Sequence, residues 1–348
     1  MTSKTHPMQR WRKYAFLALL GLPMMLVVIK RDPSFPLPKS LGEWFFFPGE
    51  FKYYVANLFP LRDSFAKIHS RTLHTVRGPS EVDAVLRGAE GWMFLRIKRE
   101  NPLHGHKRHE LNAFLAQYSS ENAICRELGI EYRLLVVPSK TAVYPEFVPE
   151  RFAGWIPRDN PMTPAGRFFK IKGDGFPIVD VLQRFRREKE TCDLFFKTDA
   201  HWNEFGGLIA TEELMATINP NREAAKFQIE ARESKGGNEA KILGIQNDVT
   251  EFNPRIVLEN APISRFASGK PIIVDTINLV GFEKTAMRTK CPEAPLESAI
   301  VFHNSFGVAL LPFVSRQFKD CVFIWHDFMP DAVREQKPDY VISLHTTF

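Results

Sequence analysis

The spacing of apolar and polar residues changes along the chain, and each change predicts an element. Residues 131–137 close on Leu134, Leu135, Val136 and Val137 in unbroken succession. A continuous apolar run of this length suits a strand buried on both faces of a sheet. Residues 297–302 read the same way, and shorter strands are expected at 91–95, 176–181, 271–274, 321–325 and 340–344. Between them the period lengthens to that of a helix. Residues 111–128 form an amphipathic helix that ends at Gly129, a residue suited to the left-handed turn after a helix. Further helices are expected from Glu204 to about Ile218 and from about Phe306 to Phe318. The basic run 184–189 reads as a solvated helix face, and residues 219–295 carry little pattern outside the Gly236-Gly237 and Gly244 loops. Strands alternating with helices predict an α/β fold, with a mostly parallel sheet sandwiched as three α/β/α layers.

The N-terminal part obeys a different pattern. Residues 14–29 are apolar behind a basic stretch with Lys4, Arg10, Arg12 and Lys13. As a helix the run spans roughly 24 Å at about 1.5 Å per residue, short of the about 30 Å hydrocarbon core. With no small-residue cleavage site after it, an uncleaved signal anchor is expected, basic end inside and body in the periplasm. A cleaved leader releasing a soluble periplasmic protein is the alternative. Pro33, Pro36 and Pro38 make an extended linker, and an aromatic cluster around Trp44 and Phe45 precedes a helical pattern from Phe51 to Thr75. The expected organisation is a tail and anchor over 1–30, a linker and amphipathic helical segment over 31–80, and a catalytic domain over 81–348.

Composition narrows the function. The net charge of +6 over 348 residues is modest and gathers at the N-terminus, which fits membrane orientation better than nucleic acid. No zinc-finger or RNA-binding motif is visible. Four cysteines have no metal spacing, and buried thiols are favoured over a bridge. His104, His106 and His109 lie without accompanying carboxylates or cysteine, so a solvated loop outweighs a metal site, and no cofactor or metal is expected.

Chemistry concentrates in Asp199-Ala200-His201-Trp202-Asn203. Positions two apart in a strand or turn point the same way, so Asp199 and His201 face one cavity. A carboxylate is the usual partner that orients a histidine acting as a base. Ser305 supplies a nucleophile, standing where the strand over 297–302 turns into a helix whose free N–H groups can receive a developing oxyanion. The plainer readings are a helix cap for Ser305, and a structural pair or metal ligands for Asp199 and His201. Asn203 reads as a cap or a substrate contact, and Trp202 as core or a sugar-stacking platform.

The segment Thr198-Asp199-Ala200-His201-Trp202-Asn203-Glu204-Phe205-Gly206 resembles the TDxHWNxxG motif of the alginate O-acetyltransferase AlgJ/AlgX group, which is SGNH-hydrolase-like. Residues 90–95 resemble its GWLF element, 136–146 its P-x-K…YPE segment, and 302–307 its serine block. The resemblance runs over about 45–345. It implies an SGNH-like fold, and Ser305, His201 and Asp199 as catalytic residues. It also implies an acetyl-serine intermediate and transfer to hydroxyls of an extracytoplasmic polysaccharide, with a membrane-bound O-acyltransferase as acetyl source. Lys140, Trp202, Asn203 and Asn304 are the candidate substrate contacts. The surroundings depart from the family pattern: Asn304 stands where Asp is common, His303 replaces Arg, and Asn238 follows Gly236-Gly237 in place of Asp. An esterase or deacetylase that uses water as acceptor, or a non-catalytic glycan-binding scaffold of an export complex, are the alternatives.

Overall fold

The computed structural model describes residues 85–95, 108–150, 176–266 and 286–346, together with Gly269. All of them lie within the compact unit Ser70–Phe348. The expected anchor, linker and first helical segment, the loop with His104 and His106, and the strand expected at 271–274 lie outside the described residues. Among the described residues no helix is long and apolar enough to cross a membrane.

In chain order the elements are β1 (Val85–Arg87), β2 (Met93–Leu95), α1 (Arg108–Glu127), β3 (Glu131–Val137), α2 (Lys140–Val143), β4 (Ile178–Asp180), α3 (Leu182–Glu188) and α4 (Glu204–Ile218). Then follow β5 (Phe227–Glu230), β6 (Glu233–Lys235), α5 (Asn238–Ile242), β7 (Thr250–Phe252), β8 (Arg255–Leu258), β9 (Arg265–Phe266) and β10 (Met287–Lys290). The last are β11 (Leu296–Phe302), α6 (Gly307–Val314), β12 (Phe318–Ile324), α7 (Pro330–Gln336) and β13 (Tyr340–Thr346).

Among the described residues seven strands make the main sheet, in the order β4-β3-β13-β11-β12-β10-β9. The run from β4 to β12 is parallel, and β10 and β9 extend it antiparallel, so the sheet is mixed. The continuous apolar runs are explained by burial on both faces. Leu135, Val137, Ala299, Val301 and Ile342 face α4 and α6, whereas Leu134, Val136, Ile300, Phe302 and Val341 face α1 and α7. Fully burying one such side chain contributes roughly 1.5–3 kcal/mol.

On the first of these faces two helices meet closely. Gly207 of α4 sits where a Cβ would lie 2.2 Å from the carbonyl oxygen of Ala309 in α6, so the helices touch backbone to backbone. Helix α6 is shorter than expected, because Phe318 already belongs to β12 and the turn at residues 315–317 closes the helix. Gly129 adopts φ +73 directly after α1, the conformation that ends a helix. All four cysteines are unpaired, and Cys125, Cys291 and Cys321 are buried.

Candidate active site

Two chain reversals meet at the carboxyl edge of the sheet. The first is the turn after β11, where Ser305 follows His303 and Asn304. Asn304 organises it: its Oδ1 accepts the Phe306 N–H at 3.0 Å and its carbonyl accepts the Gly307 N–H at 3.0 Å. Those bonds occupy two of the N–H groups expected to serve an oxyanion, and the N–H of Ser305 itself remains as the candidate donor. The Ser305 side chain does not cap α6. The residue at the cap position is Phe306, which makes no side-chain cap bond.

The second reversal is a hairpin-like loop from Leu194 to Asn203. It is closed by the Phe195–Trp202 bridge, by Phe196 N–H to the His201 carbonyl at 3.2 Å, and by Asn203 N–H to the Leu194 carbonyl at 2.9 Å. Asp199 and His201 stand at its tip. His201 Nδ1 lies 2.6 Å from Asp199 Oδ1, and Nε2 lies 2.7 Å from Ser305 Oγ. An ionised carboxylate only accepts, so Nδ1 carries the proton and Nε2 is left to accept from the Ser305 hydroxyl. The imidazole also packs on the Phe306 ring at 4.7 Å between centroids.

Asp199 is held from several sides. Its Oδ1 also accepts the His201 N–H at 3.0 Å, and Oδ2 accepts the Asn238 N–H at 2.8 Å. Burial pushes its pKa up, but the bonds and charge of His201 and the Asn238 N–H outweigh this and hold it below the usual carboxylate value. Asp199 therefore stays ionised and able to stabilise an imidazolium. Gly237 is required beside it, since a Cβ there would fall 2.4 Å from Asp199 Cβ.

The other candidate contacts turn out to be scaffold. Lys140 is 6% exposed, and its Nζ donates to the carbonyls of Met93, Lys197 and Asp199 at 2.7, 2.9 and 3.0 Å. Three acceptors consume all three ammonium protons, so it is not available to a substrate. Trp202 is 2% exposed and donates Nε1–H to the Phe306 carbonyl at 2.8 Å, which excludes stacking on a sugar. Asn203 caps α4 by accepting the Gly206 N–H at 3.1 Å, and its amide donates to the Asp193 carbonyl. Asn304 uses its amide on Thr346 Oγ1 at 3.2 Å as well as its carbonyl oxygen on Phe306. Each side chain is committed to joining one loop to another.

Sequence reasoning missed two acids behind the loop. Glu251 of β7 accepts from the N–H and the hydroxyl of Thr198 at 2.8 and 2.7 Å, and Thr198 in turn accepts the Gly237 N–H at 2.7 Å. Glu239 of α5 is fully buried, and its N–H donates to the Thr198 carbonyl at 3.1 Å. Neither sits in a periodic stretch. The adjoining Gly236-Gly237-Asn238 was the one local signal, since a glycine pair marks a close backbone approach.

An α/β/α sheet with Asp199, His201 and Ser305 in one hydrogen-bonded row at the carboxyl edge of its strands fits a hydrolase-like class of protein, and the family match makes it SGNH hydrolase-like. Within it, the chain belongs to the family described as the SGNH hydrolase-like domain of the acetyltransferase AlgX, whose model matches residues 85–262, about half the chain. That match contains Asp199 and His201 and ends before Ser305, so the third member of the relay rests on the geometry.

The probable alginate O-acetylase AlgJ of Pseudomonas syringae pv. tomato is 24% identical over 171 residues, which cover 49% of this chain and 41% of that protein. The likeness thus spans about two fifths of that relative's length. Among solved structures, Bacillus cereus PatB1 with a sulfonyl adduct superposes with a TM-score of 0.53 at 14% identity, covering 76% of this chain and 94% of that one. A DHHW family protein from Eubacterium siraeum DSM 15702 gives 0.52 at 13% identity, with coverage of 76% and 94%. At such identities the two likenesses concern the fold.

Proposed function

We propose that the protein is an O-acetyltransferase that moves an acetyl group onto hydroxyls of an extracytoplasmic polysaccharide through an acetyl-Ser305 intermediate. The observation that carries this reading is the unbroken chain Asp199 Oδ1–His201–Ser305 Oγ, with contacts of 2.6 and 2.7 Å. Membership of the AlgX family supports acetyl transfer, and the AlgJ relative supports a polysaccharide acceptor.

In the first half-reaction Ser305 Oγ attacks the acetyl carbonyl carbon while its proton passes to His201 Nε2. Asp199 holds the Nδ1–H tautomer and balances the imidazolium, and the Ser305 N–H faces the carbonyl oxygen as it gains charge. The donor's carbon–oxygen or carbon–sulfur bond then breaks, and its leaving group takes the proton from Nε2. In the second half-reaction a sugar hydroxyl attacks the acetyl-serine and gives its proton to Nε2. The Ser305 Oγ–carbon bond breaks, and the proton returns to Oγ. The acceptor alone separates this reaction from hydrolysis.

The anchor over 14–29 would tether the domain in the periplasm, where a membrane-bound O-acyltransferase would deliver the acetyl group. The test is mass spectrometry of acidic oligosaccharides incubated with the protein and an acetyl ester donor. Gain of acetyl on the glycan, absent with Ser305→Ala, is expected. Loss of acetyl from a pre-acetylated glycan, with no gain on any acceptor, would replace the transferase reading by an esterase one.

A further inference from the structure

Among the described residues three glutamates are buried, Glu121, Glu239 and Glu251, and the first two are of opposite character. Glu121 of α1 lies on the far face of the sheet, and its oxygens accept from Gln117 Nε2 at 3.1 Å, Tyr132 Oη at 2.7 Å and Ser343 Oγ at 2.9 Å. Such a group is a satisfied structural acid. Glu239 is also buried, at 0% exposed, but neither of its carboxyl oxygens has a hydrogen-bond partner. An unpartnered buried carboxyl is costly whether charged or neutral. A buried polar group left in that state calls for a specific explanation.

Its position is specific. The residue before it, Asn238, donates its N–H to Asp199, and its own N–H bonds the carbonyl of Thr198, so α5 is seated on the loop that carries the relay. Lys140 reaches the same loop through the carbonyls of Lys197 and Asp199. The three carbonyls around its Nζ demand the ammonium form, and a buried cation requires nearby negative charge. Asp199 and Glu251, which also face it, have both oxygens engaged by other donors.

We infer that Glu239 is a positioning residue: as a carboxylate it balances the Lys140 ammonium and adds negative charge behind Asp199, which strengthens His201 as the base toward Ser305. It touches neither substrate nor the reacting atoms and acts through Asp199. The inference rests on Ser305 being the nucleophile.

The charged groups around Glu239 set the pH at which it acts. Asp199 and His201 face it from the relay loop and Lys140 from the start of α2. Glu251 of β7 and Asp193 face that lysine in turn. Arg87 shares a face of β1 with Val85, which packs beside α5. Burial and the Asp199 charge push Glu239 up to about 7, against the opposing pull of Lys140. Burial pushes Lys140 down to about 8, against the pull of Glu239, Glu251 and Asp199. Raised in the fold, Glu239 takes up a proton as the pH falls through about 7 and its charge behind Asp199 is lost. The reactivity of Ser305 should therefore lose the Glu239 contribution as that group takes up its proton on the acid side.

The test uses the full chain and a serine-reactive sulfonyl fluoride, phenylmethanesulfonyl fluoride, with the rate of Ser305 labelling followed by intact mass from pH 5 to 9. This readout needs no acetyl donor or glycan, so it separates the inference from the transferase reading. For Glu239→Gln, a neutral side chain of the same shape, labelling at pH 8 should slow on the order of tenfold. The part of the acid-side fall centred near pH 7 that belongs to Glu239 should disappear, while the cooperative thermal transition persists. Glu121→Gln should leave the form of the pH profile unchanged.

Equal rates and equal limbs in Glu239→Gln and the wild type would overturn the inference. A uniform loss at every pH together with a collapsed thermal transition, repeated in the more conservative Glu239→Asp, would do so as well by making the role purely structural. Absence of wild-type labelling at Ser305 would overturn both readings. Normal labelling behaviour without acetyl transfer would remove only the transferase.

Discussion

The two turns that make up the site are held in different ways. The Ser305 turn continues a buried parallel strand and rests on rings, with Phe306 against Trp202 at 5.5 Å and Trp202 against Phe185 at 5.9 Å. The Asp199–His201 loop extends from no strand of the main sheet. Its stem shares that ring packing through Trp202 and Phe195, but its tip is fixed by buried polar groups: the Lys140 ammonium, Glu251 through Thr198, and the N–H of Asn238. Packing is tolerant of one lost contact, whereas a buried ion left without its partner is not. The nucleophile therefore sits on a robust support, and the base on one that fails sharply.

Substitutions can break or sharpen that contrast. Ser305→Ala removes the reacting oxygen from the robust turn, so turnover of a small acetyl ester should fall on the order of 10⁶-fold with no change in the thermal midpoint. A large drop in that midpoint would contradict the support assigned to this turn. Asp199→Asn keeps the shape but lets the imidazole take the wrong tautomer, and should cost about 10⁴-fold in kcat.

Lys140→Met attacks the polar loop from behind. It strands three carbonyls and the acids that face them, so destabilisation of roughly 3–5 kcal/mol is expected in a denaturant titration. Where the protein remains folded, the displaced relay should still cost on the order of 10²-fold in turnover. If only binding of substrate changed, as KM without kcat or stability, Lys140 would be a substrate contact after all.

The mildest change is Trp202→Phe, which keeps a ring on Phe306 and loses the Nε1–H bond to its carbonyl. About 1 kcal/mol of stability should go, with only a few-fold loss of turnover.

The same contrast explains what was legible in the sequence. β3 and β11 announce themselves by unbroken apolar runs, and α4 by a long apolar stretch of good helix formers behind Asn203 in the capping position. Asp199, His201 and Ser305 carry chemistry in residue type and local spacing, which is why they could be picked out. The cap reading of Asn203 and the core reading of Trp202 match the structure, whereas the commitments of Lys140 and Asn304 were not legible, because burial and saturation of a polar side chain are set by distant partners. Lys140 lies 47, 57 and 59 residues from its acceptors. Glu239 and Glu251 were invisible for the same reason: in one dimension each is an ordinary acid in a region without period. The sheet's antiparallel edge was hidden too, since β9 and β10 are short and lack the apolar run of a strand covered on both faces.

One covalent species stands between the donor and the acceptor in this account. Full-chain protein should be mixed with 4-nitrophenyl acetate, quenched in acid within the first turnover, digested, and its peptides weighed. The account predicts one acetyl group on the peptide containing Ser305, absent from Ser305→Ala and strongly reduced in Asp199→Asn. Acetyl found on another residue, or ester turnover undiminished in Ser305→Ala, would contradict it.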